Sequence, residues 1–84
     1  MDPSATIREF LRTTKIDRDR QSELADAYQQ WLDKGGFLPR IRHRNDPKGL
    51  SYAVTGLYAR GNLTYFLCAG NPRPLLGAEY EIVP

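Results

Sequence analysis

Apolar residues recur along this chain with two periods, and the change of period falls at Gly35-Gly36. Before the glycines, Leu24, Ala27, Tyr28, Trp31 and Leu32 stand at i, i+3, i+4, i+7 and i+8, the stripe of an amphipathic helix. Arg18, Asp19, Gln21, Glu23, Asp26, Gln29, Gln30 and Asp33 fall mostly off it. The spacing predicts a helix from Arg18 to Lys34, capped by Asp17 and stopped by the two glycines. Ile7, Phe10 and Leu11 follow Asp2-Pro3 at helical spacing. Asp suits an N-cap and Pro the first helical position, so a shorter helix precedes the long one and ends near Thr13-Thr14.

After the glycines the pattern alternates, as in strands half-buried on one face. Phe37 to Arg44 reads as a first strand that is an edge or begins after Pro39, because proline cannot donate to a ladder. Asn45-Asp46-Pro47-Lys48-Gly49 is a turn. Leu50 to Arg60 and Leu63 to Ala69 are the second and third strands, joined at Gly61-Asn62, a two-residue hairpin signal. Asn71-Pro72-Arg73-Pro74 reads as a loop and Ala78 to Val83 as a fourth strand. The expected fold is therefore α+β: a helix pair, short then long, packed on a four-stranded antiparallel sheet. An SH3-like half-barrel with a helical extension is the alternative. The chain reads as one domain, 1–84, with a helical half at 1–36 and a strand half at 37–84.

A two-residue hairpin fixes a register in which Arg60 opposes Leu63, Tyr58 opposes Tyr65, Leu57 opposes Phe66 and Gly56 opposes Leu67. Unbroken alternation then puts Tyr52, Val54, Tyr58, Leu63, Tyr65 and Leu67 on one face. Ala53, Thr55, Leu57, Ala59, Thr64, Phe66 and Cys68 share the other. With Arg44 opposite Leu50, Arg42 meets Tyr52 and Arg40 meets Val54. The three arginines then share the tyrosine face, while Leu24, Tyr28 and Trp31 pack on Phe37, Ile41, Leu57 and Phe66. A slip of one residue would send the arginines to the opposite face.

Charge sharpens this picture. The net charge is +2, which alone says little about partners. From Phe37 to Pro74, however, Arg40, Arg42, Arg44, Lys48, Arg60 and Arg73 face only Asp46, and the tail adds Glu79 and Glu81. The candidate binding face is thus Arg40, Arg42 and Arg44 beside Tyr52, Tyr58 and Tyr65. Arginine and tyrosine are enriched at protein-binding hot spots, and aromatic sheet faces with basic neighbours also bind single-stranded nucleic acid. If the last strand lies beside the first, Glu79 and Glu81 pair with the arginines and cancel their field.

The remaining chemistry is sparse. A nucleophile pair needs hydrogen-bond reach between its members, and nothing in the sequence brings His43 to Cys68. One Cys and one His do not make a structural zinc site. Asp17, Asp19 and Glu23 lack the spacing of a calcium loop. Gly35-Gly36 follows a helix, whereas a phosphate-cradling loop precedes one. A helix-turn-helix would present Asp19, Glu23, Asp26 and Asp33 to phosphates. A lone cysteine and a start, Met1-Asp2-Pro3-Ser4, without a basic then apolar run predict a reducing, cytoplasmic setting. No run of about 18 apolar residues predicts a membrane span. The expectation is a non-enzymatic binding or accessory domain without a cofactor. Its expected partner is a protein met at the Arg/Tyr face; the alternatives are single-stranded nucleic acid at that face and a homodimer.

Overall fold

In the computed structural model, which describes residues 2–84, two helices lie on one face of a five-stranded antiparallel sheet. Helix α1 spans Pro3–Leu11 and α2 spans Arg18–Asp33, with a 3-10 turn, Lys15–Asp17, between them. Strands follow at β1 (Arg40–His43), β2 (Tyr52–Arg60), β3 (Leu63–Cys68), β4 (Asn71–Leu76) and β5 (Tyr80–Ile82), with a second 3-10 turn, Gly77–Glu79, before the last. The strand order is β4-β3-β2-β1-β5. The helix-on-sheet plan is therefore the one expected, with one more strand. That strand is β4, in the segment expected to be a loop. Pro72 and Pro74 are tolerated there because β4 is an edge.

Local chemistry explains the helix ends. The Asp2 carboxylate accepts from the Ala5 N–H at 2.7 Å, capping α1. Asp17 does not cap α2 as expected: its carboxylate turns back to accept from the Thr14 N–H at 2.9 Å. It closes the 3-10 turn instead. Buried polar bonds then lock the helices together. Gln21 donates to the Thr13 hydroxyl at 3.2 Å, and Thr13 donates to the Phe10 carbonyl at 2.6 Å. On the surface Arg20 of α2 pairs with Glu9 of α1 and with Glu23. Gly77 sits under α1, where an added Cβ would come 2.5 Å from the Leu11 side chain and 3.0 Å from the Thr64 carbonyl.

Ile7 and Phe10 of α1, Leu24 and Tyr28 of α2, and Ile41, Val54, Leu57, Phe66 and Cys68 of the sheet form one buried cluster. Phe37, expected in it, is fully exposed. Trp31, also expected there, is half-buried, with the Lys34 ammonium 5.7 Å from its ring centroid. The chain between α2 and β1 is irregular, so Phe37 is not set by the alternation that places Ile41.

The hairpin register is as the two-residue turn requires: Arg60 opposes Leu63, Tyr58 opposes Tyr65, Leu57 opposes Phe66 and Gly56 opposes Leu67. Gly61 has φ of 62°, the positive value that a type II′ turn needs at its first central residue. Two departures follow. Strand β1 is slipped by one residue, so that Arg40 opposes Ala53 and Ile41 opposes Tyr52. The β2–β3 register also shifts between Val54 and Gly56, a bulge that inserts Thr55. The two departures compensate. Upstream of the bulge, Tyr52 and Val54 join Ile41 on the helix side, whereas unbroken alternation put them with Tyr58. Downstream, Leu57 and Ala59 face the helices and Tyr58 faces out.

Tyr28 holds this bulge. Its hydroxyl donates to the Val54 carbonyl at 2.6 Å in the buried core. Tyr28→Phe keeps the ring but strands that carbonyl away from water, a loss of about 1–3 kcal/mol. Urea denaturation followed by circular dichroism should show it; an unchanged midpoint would mean the bulge does not need the bond.

Candidate functional site

Strand β5 lies beside β1, so the arginines have neighbours of opposite charge and of free oxygen. Arg42 stands directly opposite Glu81, its Nε 3.1 Å from the carboxylate, and its Nη1 donates to the Pro47 carbonyl at 3.3 Å. Arg40 donates to the Ser51 hydroxyl at 2.8 Å and to the Ser51 carbonyl at 2.9 Å. Arg44, just past β1, donates from Nε to the Ala78 carbonyl at 3.0 Å, while its backbone N–H donates to Glu79. Each guanidinium thus ties β1 to a flanking segment: the β1–β2 loop, β5, or the turn before β5. Glu79 is not opposite Arg40; its carboxylate lies 3.9 Å from His43 Nε2.

The tyrosines divide between the two faces. Tyr52 lies on the helix side, edge-on to Tyr80 with centroids 6.5 Å apart, and Tyr80 is in turn edge-on to His43 at 5.2 Å. Tyr58 and Tyr65 lie on the outer face, opposite one another, with centroids 5.6 Å apart and planes tilted by 40°. Arg40 and Arg42 share that outer face, yet β1 pairs only with the start of β2. Tyr58 is five residues beyond Ala53, the partner of Arg40, roughly 16 Å along the strand at about 3.3 Å per residue. The six candidate residues are therefore three separate groups: a braced arginine row, an aromatic corner on the helix side, and an outward tyrosine pair.

The tyrosine pair has apolar neighbours on its own face. Leu63 is 51% exposed, Tyr58 41% and Leu67 37%. Tyr58, Arg60, Tyr65, Leu67 and Pro74 line a shallow groove of about 410 Å³. In sequence the signal was present in the outward alternation of β2 and β3, which puts Leu63 and Leu67 beside Tyr65.

His43 and Cys68 share no hydrogen bond among the described residues. The His43 Nδ1 accepts from the Asn45 N–H at 3.1 Å. Cys68 is buried, and burial pushes its thiol up to about 11 from 9.0, the opposite of what a nucleophilic thiolate needs. Among the described residues no group of three or more His, Cys, Asp or Glu is placed to hold a metal ion, and no helix is long and apolar enough to cross a membrane.

Two outcomes are expected. Arg42 and Glu81 are each about one-third exposed, so a double-mutant cycle of Arg42→Ala and Glu81→Ala in urea denaturation should give a coupling of about 0.5 kcal/mol; zero coupling would leave Arg42 only its Pro47 contact. The thiol shift sets a pH window. The folded-state pKa is raised, so its contribution is complete below pH 9.0 and is lost as pH rises toward about 11. The fall in urea midpoint between those limits should be smaller in Cys68→Ala, and an equal fall would assign the alkaline loss elsewhere.

Compared with known proteins, the chain matches no protein-family model, and no curated protein and no solved structure matches it.

Proposed function

We propose that this chain is a non-enzymatic binding domain that receives a protein segment on the outer face of its sheet, at the β2–β3 hairpin. The observation that carries this reading is the Tyr58–Tyr65 pair, flanked by exposed Leu63 and Leu67 on the face away from the helices. Large, rigid aromatic side chains ringed by apolar neighbours are what binding hot spots are made of. The partner's chemistry follows from charge. Arg60 lines the groove with no acid beside it, and Arg60 and Arg73 form no ion pair among the described residues. The segment that fits offers proline or other apolar side chains with a carboxylate to meet Arg60.

Two features favour recognition by the face over addition of a strand at an edge. Strand β4 carries Pro72, Arg73 and Pro74, and β5 has three residues. Prolines, charges and short length are the usual ways of blunting an edge. Single-stranded nucleic acid is the weaker fit, because the basic stretch that would supply the field is bonded at the far end of β2.

Selection from a phage-displayed random dodecapeptide library on the immobilised protein tests this. The expected result is enrichment of peptides combining Asp or Glu with Pro, Leu or aromatic residues, and about tenfold or greater loss of their binding to Leu67→Asp. No enrichment, or equal binding by that variant, would overturn the proposal. So would binding of a labelled single-stranded dodecanucleotide that is released by salt and lost in Tyr58→Ala, or self-association in sedimentation that Leu67→Asp abolishes.

A further inference from the structure

A second concavity, a half-open groove of about 250 Å³, lies on the other side of β2, between that strand and the first turns of α2. It exists because the residues facing each other across it are small: Ala25 on the helix and Ala59 on the strand both line it. The 3-10 turn closes one end, held to the hairpin by the Lys15 N–H donating to Asn62 Oδ1 at 3.1 Å. Leu57 and Ala59 contribute apolar floor, and Lys15, Arg18 and Ser22 contribute polar wall.

The electrostatics are one-sided. No acid lines this groove. Neither Lys15 nor Arg18 forms an ion pair among the described residues. The nearest carboxylate in sequence, Asp17, is turned to Thr14. Asp19 stands about 100° round the helix from Arg18, off the row of Arg18, Gln21, Ser22 and Ala25 that faces β2. Arg20, by contrast, is matched by Glu9 and Glu23, and Arg42 by Glu81.

We infer that this groove is a site for a small anion carrying a ring-sized apolar body, an aryl phosphate or an aryl carboxylate. Size sets the body: a cavity of about 150 Å³ holds benzene, so about 250 Å³ takes one ring with its head group. Chemistry sets the head. A guanidinium offers a planar fork to phosphate or carboxylate oxygens, an ammonium adds a point charge, and the Ser22 hydroxyl can donate a further bond. The apolar floor accepts the ring, which inorganic phosphate lacks. This site shares Tyr58 with the outer groove but none of its charged residues, so substitution of Tyr65 separates the two.

Titration of the full chain, followed by nitrogen–proton correlation spectra, tests the assignment. Phenyl phosphate or benzoate should shift the amides of Lys15, Arg18, Ser22 and Gly61 saturably, and the stronger of the two identifies the head group. Inorganic phosphate should bind about tenfold more weakly and benzylamine should leave these amides unmoved. Lys15→Ala combined with Arg18→Ala changes exposed side chains only; it should keep the rest of the spectrum and weaken binding about tenfold or more. Tyr65→Ala, which disables the outer face, should bind as the unaltered chain does. Shifts that never saturate, that spread over the Arg40–Lys48 region, that inorganic phosphate reproduces equally, or that survive the double substitution would each overturn the inference.

Discussion

The hydrogen bond from the Tyr28 hydroxyl to the Val54 carbonyl governs which side chains this sheet shows to solvent. It is made at the place where β2 carries one residue too many. A bulge leaves ladder groups without their usual partners, and a buried carbonyl without a donor costs about 1–3 kcal/mol. Tyr28 removes that cost from inside the core, with its ring in the apolar cluster and its hydroxyl on the backbone. The same burial raises the Tyr28 pKa well above its ordinary value, with desolvation the main cause and Cys68 a lesser one. The phenol therefore stays a donor across the neutral range.

What the bulge does is reverse the sides of β2 halfway along it. Upstream residues can then bury Tyr52 and Val54 against the helices while downstream residues bury Leu57 and Ala59. Without it, an uninterrupted strand would have to expose Val54 or bury Tyr58. The slip of β1 by one residue matches this reversal. Ile41 meets Tyr52 on the helix side, and Arg40 and Arg42 are delivered outward, where β5 can supply Glu81. Helix, bulge and edge strand are in this sense one arrangement.

Much of this was legible in the residues. The helical stripe predicted α2, and the Gly61-Asn62 turn predicted a register that holds from Arg60 opposite Leu63 to Gly56 opposite Leu67 and shifts at the bulge beyond. Arg40 and Arg42 face away from the helices as expected, though by two departures that cancel rather than by none; Arg44, past the end of β1, instead lines grooves with Leu11 of α1. The bulge itself leaves little mark, because Val54-Thr55-Gly56 is as compatible with an unbroken strand. Strand β4 was hidden by its prolines, which argue against a central strand but not against an edge. Phe37 reads as core from its alternation with Ile41, yet it precedes the first ladder bond, at Pro39, and is fully exposed. The candidate site was legible residue by residue and not as a whole: alternation says which side a residue faces, not how far along the sheet its neighbour stands.

That distinction bears on how the basic stretch should be understood. A run of arginines within one strand invites an electrostatic role, but a guanidinium is also a fixed fork of donors, and here each fork is engaged in part, by Ser51, Pro47, Glu81 or Ala78. They brace the irregular segments around β1. At the opposite end of β2 the situation is inverted. The hairpin and the 3-10 turn are already held, by the Gly61 turn and by the bond from Lys15 to Asn62, so Lys15, Arg18 and Arg60 are not needed as braces. Cations that structure does not consume, set beside exposed apolar side chains, are the ones with binding energy left to give. It is their position, more than the number of arginines in the sequence, that supports the proposal of binding at this end of the molecule.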